Sequence, residues 1–335
     1  MKRYRISLLA SVLAALCLTG TPSAFAQQVK MKIGTATLKD TQHEWMLRFQ
    51  KRMQEKAGDQ LKIDLFPLGQ LGTIPRAVEG MQLGTIEAYV TPSVFLVGLD
   101  SRAQAAWAPG VFDSVDHCWR TVADQEFRDY TFGMLEGKGI TVISTICSAT
   151  QAFLTKKDVK SLDDLKGLKI RVLASALERA QMQVLGISPT PIPFTEVLPA
   201  LQRNVIDGVS SIPILFNNLK MFNTAKHITI AGLFHSSIPV YVSKVWWEKL
   251  PEDLRRTMLT EAKGIEKSLI DWNEKANVET LEKWRGNGGT VRSLSDAEQK
   301  RMIETVTPAV QKVIAEDPAL ETAYNKIRAI AAKNR

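Results

Sequence analysis

The chain has 335 residues, of which 45% are hydrophobic and 23% are charged. A chain of this length buries a large core and usually forms two domains of ~100–200 residues each. Its formal net charge is +8, but the basic residues are scattered among acidic ones and form no block. This pattern indicates a solvated surface and argues against a nucleic-acid partner. The net positive charge favours anionic ligands in general.

The first residues have the layout of a secretory signal peptide. Lys2, Arg3 and Arg5 precede an apolar run over residues 6–18, and the tripeptide Ala24–Ala26 follows. A membrane-spanning helix needs about 20 apolar residues, and this run is shorter. We therefore predict a signal peptide over residues 1–26, cleavage after Ala26 and a periplasmic location.

The three cysteines lie in different surroundings. Cys17 follows the bulky Leu16, whereas lipoprotein processing needs a small residue there, so we predict a soluble mature protein. Cys118 and Cys147 remain after cleavage. In an oxidising compartment they can form a disulfide or stay separate buried thiols, and the sequence leaves both possibilities open. No zinc-like cysteine cluster occurs, and we predict no metal and no cofactor.

Strand-like and helix-like segments alternate along the rest of the chain. The strand-like segments are Met31–Thr37, Leu61–Phe66, Ile140–Ile146, Leu168–Leu173 and Val205–Val209. Between them, apolar residues recur at helical spacing, as at Trp45, Phe49 and Met53. Ser175 and Glu178 have the spacing of a capping box at a helix start. The alternation is typical of α/β proteins with mostly parallel sheets.

One predicted helix is much longer than the others. Between Pro251 and Arg285 there is no further proline, and Gly264 is the only glycine. An unbroken helix over this range would be about 50 Å long and would have to run along two domains. The alternative is two helices broken near Gly264, although a lone glycine costs only ~1 kcal/mol.

Five short segments carry a resemblance to one family. They are Phe66–Gly72, Gln82–Thr85, Asp164–Val172, Pro191–Val197 and Ile206–Gly208. Each segment alone is a weak signal. Their order and spacing are similar to those of the solute-binding proteins of TRAP (tripartite ATP-independent periplasmic) transporters, the family of the C4-dicarboxylate-binding component. The resemblance covers the whole chain after the signal peptide.

The resemblance implies a two-lobed α/β periplasmic binding protein with mostly parallel sheets, a central cleft and the long helix spanning both lobes. We expect lobe I to comprise residues 27–149 and 238–276, and lobe II residues 150–237 and 277–335. The resemblance also implies that a small-molecule carboxylate closes the lobes. The loaded protein then docks on a permease made of a small and a large integral membrane subunit. Proteins of this type act as monomers, which is the expected state here.

The resemblance places the main ligand contact at Arg171, which matches the arginine of the family's Lys-Ile-Arg-Val segment. A strand over Leu168–Leu173 places Lys169 and Arg171 on one face. An arginine at a strand end binds a carboxylate through two parallel N–H···O bonds, a geometry that lysine lacks. The alternative is a surface arginine paired with Asp163 or Asp164.

Two positions depart from the family pattern. Many members have a second arginine shortly before a Leu-Thr pair, but this chain has Ala152 there, preceded by Gln151. Many members also have an asparagine four residues after the aspartate of Asp-Gly, where this chain has Ser211. A cleft with one arginine suits one carboxylate better than two, so we predict a monocarboxylate. Gln151 and Ser211 are candidates for hydrogen bonds to it.

Further ligand contacts are expected from loops that follow the strands. Phe194, in a Pro-x-Pro-Phe turn, is either a cleft wall or ordinary core packing. The first lobe is expected to contribute Gln42 or His43 from the loop after the first strand, and Thr91 and Ser93 from a later loop. Capping of the helix that follows the first strand accounts for some of the same residues.

Three other functions compete with this one. A periplasmic hydrolase needs a nucleophile with a base, and none of the four histidines lies in a hydrolase or metalloprotease signature; we predict no enzyme activity. The binding protein of another importer class would share a two-lobed fold, and its gene neighbourhood would distinguish it. A sensor component that passes a ligand signal to a membrane receptor stays open.

Overall fold

The structure, a computed structural model, describes residues 28–173 and 175–335, so the predicted signal peptide over residues 1–26 lies outside the described residues. The strands are Val29–Thr35 (β1), Leu61–Phe66 (β2), Ala88–Val90 (β3), Ile140–Thr155 (β4), Lys169–Val172 (β5), Ser188–Pro191 (β6), Gly208–Ser211 (β7), His227–Ser243 (β8) and Thr290–Ser293 (β9). The helices are Thr41–Ala57 (α1), Ile74–Leu83 (α2), Val115–Ala123 (α3), Gln125–Phe132 (α4), Ala176–Val184 (α5), Phe194–Gln202 (α6), Pro213–Asn218 (α7), Lys244–Trp247 (α8), Glu252–Gly286 (α9), Asp296–Ala315 (α10) and Pro318–Lys333 (α11).

The strands of the described residues form one mixed sheet. Its order is β2-β1-β3-β8-β4-β7-β5-β6, and β9 pairs with β8. Strands β1 to β3 pair in parallel at one end of the sheet, and β5 to β7 pair in parallel at the other. The long strands β4 and β8 run antiparallel to each other and join the two ends. The sheet is therefore mostly parallel, as predicted, with an antiparallel centre.

Strand β4 is longer than the predicted segment Ile140–Ile146. Its pairing with β8 changes register between Cys147 and Ala152, so the two strands are irregular halfway along their length. Beyond this point β4 also pairs with β7. Because bulges bend and twist a strand, the irregularity marks the place where the two ends of the sheet diverge.

Three apolar clusters surround the sheet. The first lies beneath α1 and the early part of α9 and contains Trp45 and Met258. The second draws residues from both ends of the sheet, among them Tyr89 and Phe216. The third lies around β5 and the start of α10, where Met302 is fully buried. Each end of the sheet thus has a core of its own, and the second cluster joins them.

Helix α9 is a single helix of 35 residues, so the alternative of two helices broken at Gly264 is wrong. A Cβ atom at Gly264 would lie 2.6 Å from Nη1 of Arg52, the flexible end of an α1 side chain that lies over the glycine. The early part of α9 packs in the first cluster through Leu254 and Met258, and Trp284 near its end packs in the second. The helix therefore supports both ends of the sheet.

A buried ion pair joins the middle of α9 to α4, and hydrogen bonds of the same carboxylate join it to β4. Arg128 Nη1 lies 2.8 Å from Glu266 Oε2. Ser144 Oγ and Thr145 N donate to Glu266 Oε1 at 2.7 and 3.2 Å. Burial raises the pKa of the Glu266 carboxyl, and the charge of Arg128 and these hydrogen bonds oppose that rise. With its lone pairs satisfied, the pair holds the helix in one register.

Cys118 of α3 and Cys147 of β4 form a disulfide, which settles the possibility that the sequence left open. Their sulfur atoms are 1.98 Å apart and their Cα atoms 6.1 Å apart. The disulfide lies within the first cluster and joins α3 to the part of β4 that precedes the register change.

Helix α11 departs from the predicted lobe boundaries, which assigned residues 277–335 to the second lobe. Its apolar face packs in the first cluster through Leu320, Ala323 and Ile327. His117 Nε2 of α3 also lies 2.8 Å from the carbonyl oxygen of Ala331. The chain end therefore returns to the first end of the sheet, because α10 is long enough to carry it back.

Candidate functional site

A cavity lies where β1, β3, β5 and β7 present their carboxyl ends. Its polar lining residues are Thr37, Gln42, Thr91, Arg171, Ser211 and Ser236. Its apolar lining residues are Ala36, Ile74, Pro92, Phe95, Trp107, Leu173, Phe194, Ile212, Leu215, Phe234 and Ile238. The space between them, including the solvent at its mouth, is about 480 Å³. The carboxyl ends of strands are the usual ligand position in open α/β sheets.

Arg171, the next-to-last residue of β5, lines this cavity with only 1% of its surface exposed. Its Nε donates to the carbonyl oxygen of Ile192 at 3.0 Å, whereas its buried Nη2 has no hydrogen-bond partner among the described residues. The guanidinium carbon lies 5.9 Å from the centre of the Phe194 ring. Burial lowers the pKa of Arg171 to about 10, so the side chain stays charged at neutral pH.

The alternative of a surface arginine paired with a neighbouring aspartate is wrong for Arg171. Asp163 pairs with Lys166 and Arg301 at the surface. Asp164 instead accepts hydrogen bonds from the backbone of Lys160 and Ser161. Arg171 therefore has no local acidic partner at those two positions.

Glu178 lies close enough to Arg171 for their charges to interact, but no ion pair joins them in the described residues. Its carboxylate accepts from Leu173 N at 2.7 Å and from Ser210 Oγ at 2.8 Å. Ser175 caps α5 as predicted, but Glu178 does not complete the predicted capping box, because its carboxylate turns towards Leu173. Burial raises the pKa of Glu178 to about 7.

Gln151 does not line the cavity, although it is one of the predicted ligand residues. It is fully buried behind β7, where Nε2 donates to Ser210 Oγ at 3.2 Å and Oε1 accepts from Leu233 N at 3.4 Å. Both ends of its amide are engaged, so Gln151 connects the Glu178 network to β8.

Thr91 and Gln42 line the cavity from the first end of the sheet, as predicted. The Thr91 hydroxyl is buried and has no hydrogen-bond partner in the part of the chain that the structure describes. The Gln42 amide is engaged, since it accepts from Thr35 Oγ1 at 3.2 Å and donates to Asp40 Oδ2 at 3.1 Å. Thr91 is therefore the free polar group on this side, opposite Arg171.

His43 and Ser93 are predicted ligand residues that the structure does not bring to this cavity. The backbone N–H of His43 donates to Asp40 at the start of α1. Ser93 lines a separate cavity beside Arg102 and Tyr241. Five of the predicted residues thus come together, namely Gln42, Thr91, Arg171, Phe194 and Ser211.

Several lining residues were not anticipated from the sequence. Trp107 ends the short 3-10 helix Ser101–Trp107, and its indole N–H donates to the carbonyl oxygen of Ser237 at 3.1 Å. Its ring lies 4.5 Å from that of Phe234. No periodic pattern marks Trp107, whereas Thr37 could have been found as the residue that follows the first strand.

Neither a metal site nor a membrane span is found in residues 28–173 and 175–335. These ranges contain no cluster of three or more histidine, cysteine, aspartate or glutamate residues placed to hold a metal ion. None of their helices combines the length and apolar character that crossing a membrane requires.

Long strands join the two ends of the sheet, and a cavity lined by a buried arginine lies between the ends. These features define the class of two-lobed solute-binding proteins. The family described as bacterial extracellular solute-binding protein, family 7, matches residues 34–317. The chain therefore belongs to this family, that of the solute-binding proteins of TRAP transporters.

Individual relatives agree with this assignment over most of the chain. The 2,3-diketo-L-gulonate-binding periplasmic protein of Escherichia coli (strain K12) is 27% identical over 281 residues, 80% of this chain and 85% of that protein. The C4-dicarboxylate-binding periplasmic protein of Rhodobacter capsulatus is 26% identical over 318 residues, 92% and 93% of the two chains.

Solved structures share the fold. A TRAP periplasmic solute-binding protein from Desulfovibrio salexigens with bound orotic acid has a TM-score of 0.87 at 21% identity, covering 92% of this chain and 100% of that one. A second from Shewanella oneidensis with bound succinate has a TM-score of 0.85 at 21% identity and the same coverage.

Proposed function

We propose that this chain is the periplasmic solute-binding component of a TRAP transporter. It captures a small monocarboxylate and delivers it unchanged to a permease with a small and a large integral membrane subunit. Removal of residues 1–26 during export leaves the mature chain in the periplasm as a monomer. The observation that carries this proposal is the guanidinium of Arg171, which lines the cavity and whose buried Nη2 has no hydrogen-bond partner among the described residues.

A carboxylate is the ligand group that fits this guanidinium best. A buried donor without a partner is costly, and a charged one more so. Because Nε already donates to Ile192, the two terminal nitrogens of Arg171 remain for a bidentate contact with a carboxylate. On the opposite side, the unpaired Thr91 hydroxyl is available to the same group or to a neighbouring ligand oxygen.

The names of the relatives support an organic acid as the ligand, and the lining residues indicate how many carboxylates it carries. By their names, two relatives bind 2,3-diketo-L-gulonate and C4-dicarboxylates, and both of these ligands carry a carboxylate. Among the described residues that line the cavity here, Arg171 is the only charged side chain. One cation offsets one anionic group, so a second carboxylate would be buried without a counter-charge.

We propose lobe boundaries that follow the strands. Lobe I contains residues 27–149 and 238–276, together with α11, and lobe II contains residues 150–237 and the chain from residue 277 to the end of α10. The boundaries in β4 and β8 fall beside the irregular pairing at Cys147–Ala152. Because Arg171 and Thr91 belong to different lobes, a ligand that touches both prefers the closed arrangement and shifts the population towards it.

The first prediction tests Arg171 directly. Arg171→Ala should lower affinity for a carboxylate ligand by about 2–5 kcal/mol, because the charged group that pairs with the carboxylate is lost. Arg171→Lys should restore only part of the affinity, since lysine lacks the planar fork. The measurement is thermal-shift screening of the purified mature protein against small acids, followed by calorimetry on the acids that raise the melting temperature.

The matched control is Arg179→Ala. Arg179 is an exposed arginine on α5, close in sequence to Arg171 but outside the cavity. This variant should bind as tightly as the unmodified protein. Equal affinity of Arg171→Ala and Arg179→Ala for the same acid would contradict the proposed site, and stabilisation only by neutral or cationic compounds would contradict the carboxylate.

A further inference from the structure

A second chamber adjoins the cavity of Arg171 and shares part of its wall. The shared residues are Ala36, Ile74, Phe95 and Phe194. The outer chamber is open to solvent, and its space, including that solvent, is about 580 Å³. The two spaces therefore adjoin at these four residues, with a charged inner cavity on one side and the outer chamber on the other.

The outer chamber is predominantly apolar. Three prolines, Pro75, Pro191 and Pro193, form much of its wall beside Phe95 and Phe194. The polar side chains among its described lining residues are the hydroxyls of two threonines, at positions 73 and 195. Rigid proline and phenyl surfaces accept apolar or aromatic groups and offer few partners to a polyhydroxylated one.

From this arrangement we propose that the ligand is a monocarboxylate with an extended apolar or aromatic body. Its carboxylate lies at Arg171, and its body passes Phe194 into the outer chamber. This inference rests on the proposed function and goes beyond it, because it names the part of the ligand that Arg171 does not contact.

Two residues link the inner and outer ends of this path. The carbonyl oxygen of Ile192 holds Arg171 Nε at 3.0 Å, and the same residue lines the outer chamber. The ring of Phe194 lies 5.9 Å from the Arg171 guanidinium carbon and lines both spaces. The turn that orients the arginine therefore also forms the wall along which the ligand body leaves the inner cavity.

The residues that line the path also offer limited hydrogen bonding to a ligand with a polyhydroxylated body. The Gln42 amide already accepts from Thr35 and donates to Asp40, which leaves one N–H and one carbonyl lone pair for ligand hydroxyls. The Trp107 indole N–H is likewise engaged with Ser237, which leaves the face of its ring as the contact surface. In the outer chamber, the hydroxyls of a sugar acid would find side-chain partners only at Thr73 and Thr195 among the described lining residues.

The test is calorimetry on the mature protein with a matched series of acids. The series is propanoate, 3-phenylpropanoate and 5-phenylpentanoate, with D-glucuronate and succinate for comparison. A phenyl-bearing acid should bind at least about 30-fold more tightly than propanoate, as expected when a phenyl group leaves water for an apolar chamber. D-glucuronate and succinate should bind more weakly than the phenyl-bearing acids.

The Thr73→Trp variant tests whether the apolar body of the ligand lies in the outer chamber. Thr73 is exposed at the start of α2 and its side chain makes no capping hydrogen bond, so an indole there fills the outer chamber without disturbing the core. The variant should lose most of the gain from the phenyl group and keep the affinity for propanoate. Thr195→Trp fills the chamber from its other side, and Thr260→Trp, exposed on α9, is the control.

The outcomes separate this inference from the proposed function. Tighter binding of D-glucuronate than of every phenyl-bearing acid, lost in Arg171→Ala, would overturn the inference and leave the proposed function intact. Tighter binding of succinate would overturn the inference and also the proposed single carboxylate. An undiminished phenyl gain in both filled variants would overturn it as well. Failure of every carboxylate in a broad panel to bind the unmodified protein would overturn the proposed function itself.

Discussion

Arg171 and Glu178 are two buried charges with different surroundings, and the difference determines their roles. Arg171 lines the cavity, and its buried Nη2 has no hydrogen-bond partner among the described residues. Glu178 has hydrogen-bond partners on both carboxylate oxygens, and it lies behind the cavity wall. Arg171 is therefore available to a ligand, whereas Glu178 modulates the electrostatic potential that the ligand meets.

Glu178 predicts a pH dependence of stability. Its pKa is about 7 in the folded protein and near its ordinary value of 4.5 in the unfolded chain. Between these values the folded state binds more protons, so the free energy of unfolding falls as pH rises towards 7. This fall is of the order of a few kcal/mol. Glu178→Gln should reduce it, so the stability of the variant relative to that of the unmodified protein should be higher at pH 8 than at pH 4.5.

Urea unfolding at both pH values measures the effect. Glu282→Gln is the control, because Glu282 is exposed on α9. It should keep the pH dependence of the unmodified protein. The same pH dependence in Glu178→Gln as in the control would show that Glu178 titrates near its ordinary pKa.

Sequence reasoning located the site residues that belong to motifs and missed those that depend on tertiary packing. Arg171 and Phe194 lie in segments with a recognisable order of residues. Trp107 enters the cavity from a short 3-10 helix because β8 supplies a carbonyl acceptor far along the chain. Gln151 was expected at the ligand, but its amide is used between Ser210 and Leu233, which no local pattern reveals.

Among the elements, the helices formed where the apolar periodicity predicts them. The long central strand β4 instead extends beyond the segment that its local sequence predicts. Helix α9 runs unbroken, because a single glycine is tolerated where α1 packs closely against it. Strand β4 continues beyond Ile146 through residues without β-branched enrichment, since β8 pairs with it on the far side of the register change. The length of a strand depends on its partner, which local propensity does not contain.

We expect the disulfide to contribute to the free energy of unfolding. Cys118 and Cys147 are separated by 29 residues in sequence, and a loop of that size corresponds to about 3.5 kcal/mol in the chain-entropy estimate. Replacing both cysteines by alanine should lower the free energy of unfolding by roughly that amount. Ligand affinity should not change, because neither residue lines the cavity.

Urea unfolding of the double variant, with calorimetry for ligand binding, measures both quantities. The unmodified protein unfolded with a reducing agent is the matched control and should lose similar stability. Equal stability with and without the link would contradict the prediction, and a loss of affinity would show that the first cluster communicates with the cavity.

On the scale of the whole molecule, one side chain joins the two segments that form the cavity. Asn218, at the end of α7, donates to the carbonyl oxygens of Leu38 and Lys39, both at 2.8 Å. Lys39 has a left-handed φ of 55°, so the loop after β1 is held in a conformation unusual for lysine. Thr37 on one segment and Leu215 on the other line the cavity.

Asn218→Ala should therefore weaken ligand binding without removing a ligand contact. Loss of two hydrogen bonds at ~0.5–1.5 kcal/mol each shifts the population towards open lobes and weakens affinity by roughly 5- to 100-fold. Calorimetry measures affinity, and small-angle scattering measures the size of the ligand-free protein. Asn217→Ala is the neighbouring control; equal affinity of the two variants would show that Asn218 does not stabilise closure.

The pairing of β3 with β8 also dictates an order of events during synthesis. Strand β3 ends at Val90, but the neighbour that covers its free side spans His227–Ser243. A nascent chain thus holds three parallel strands with an open edge until β8 has been made, and an open edge is a template for aggregation. No single cut separates the molecule into two self-sufficient pieces, because the first end of the sheet lacks a strand until synthesis has passed Ser243.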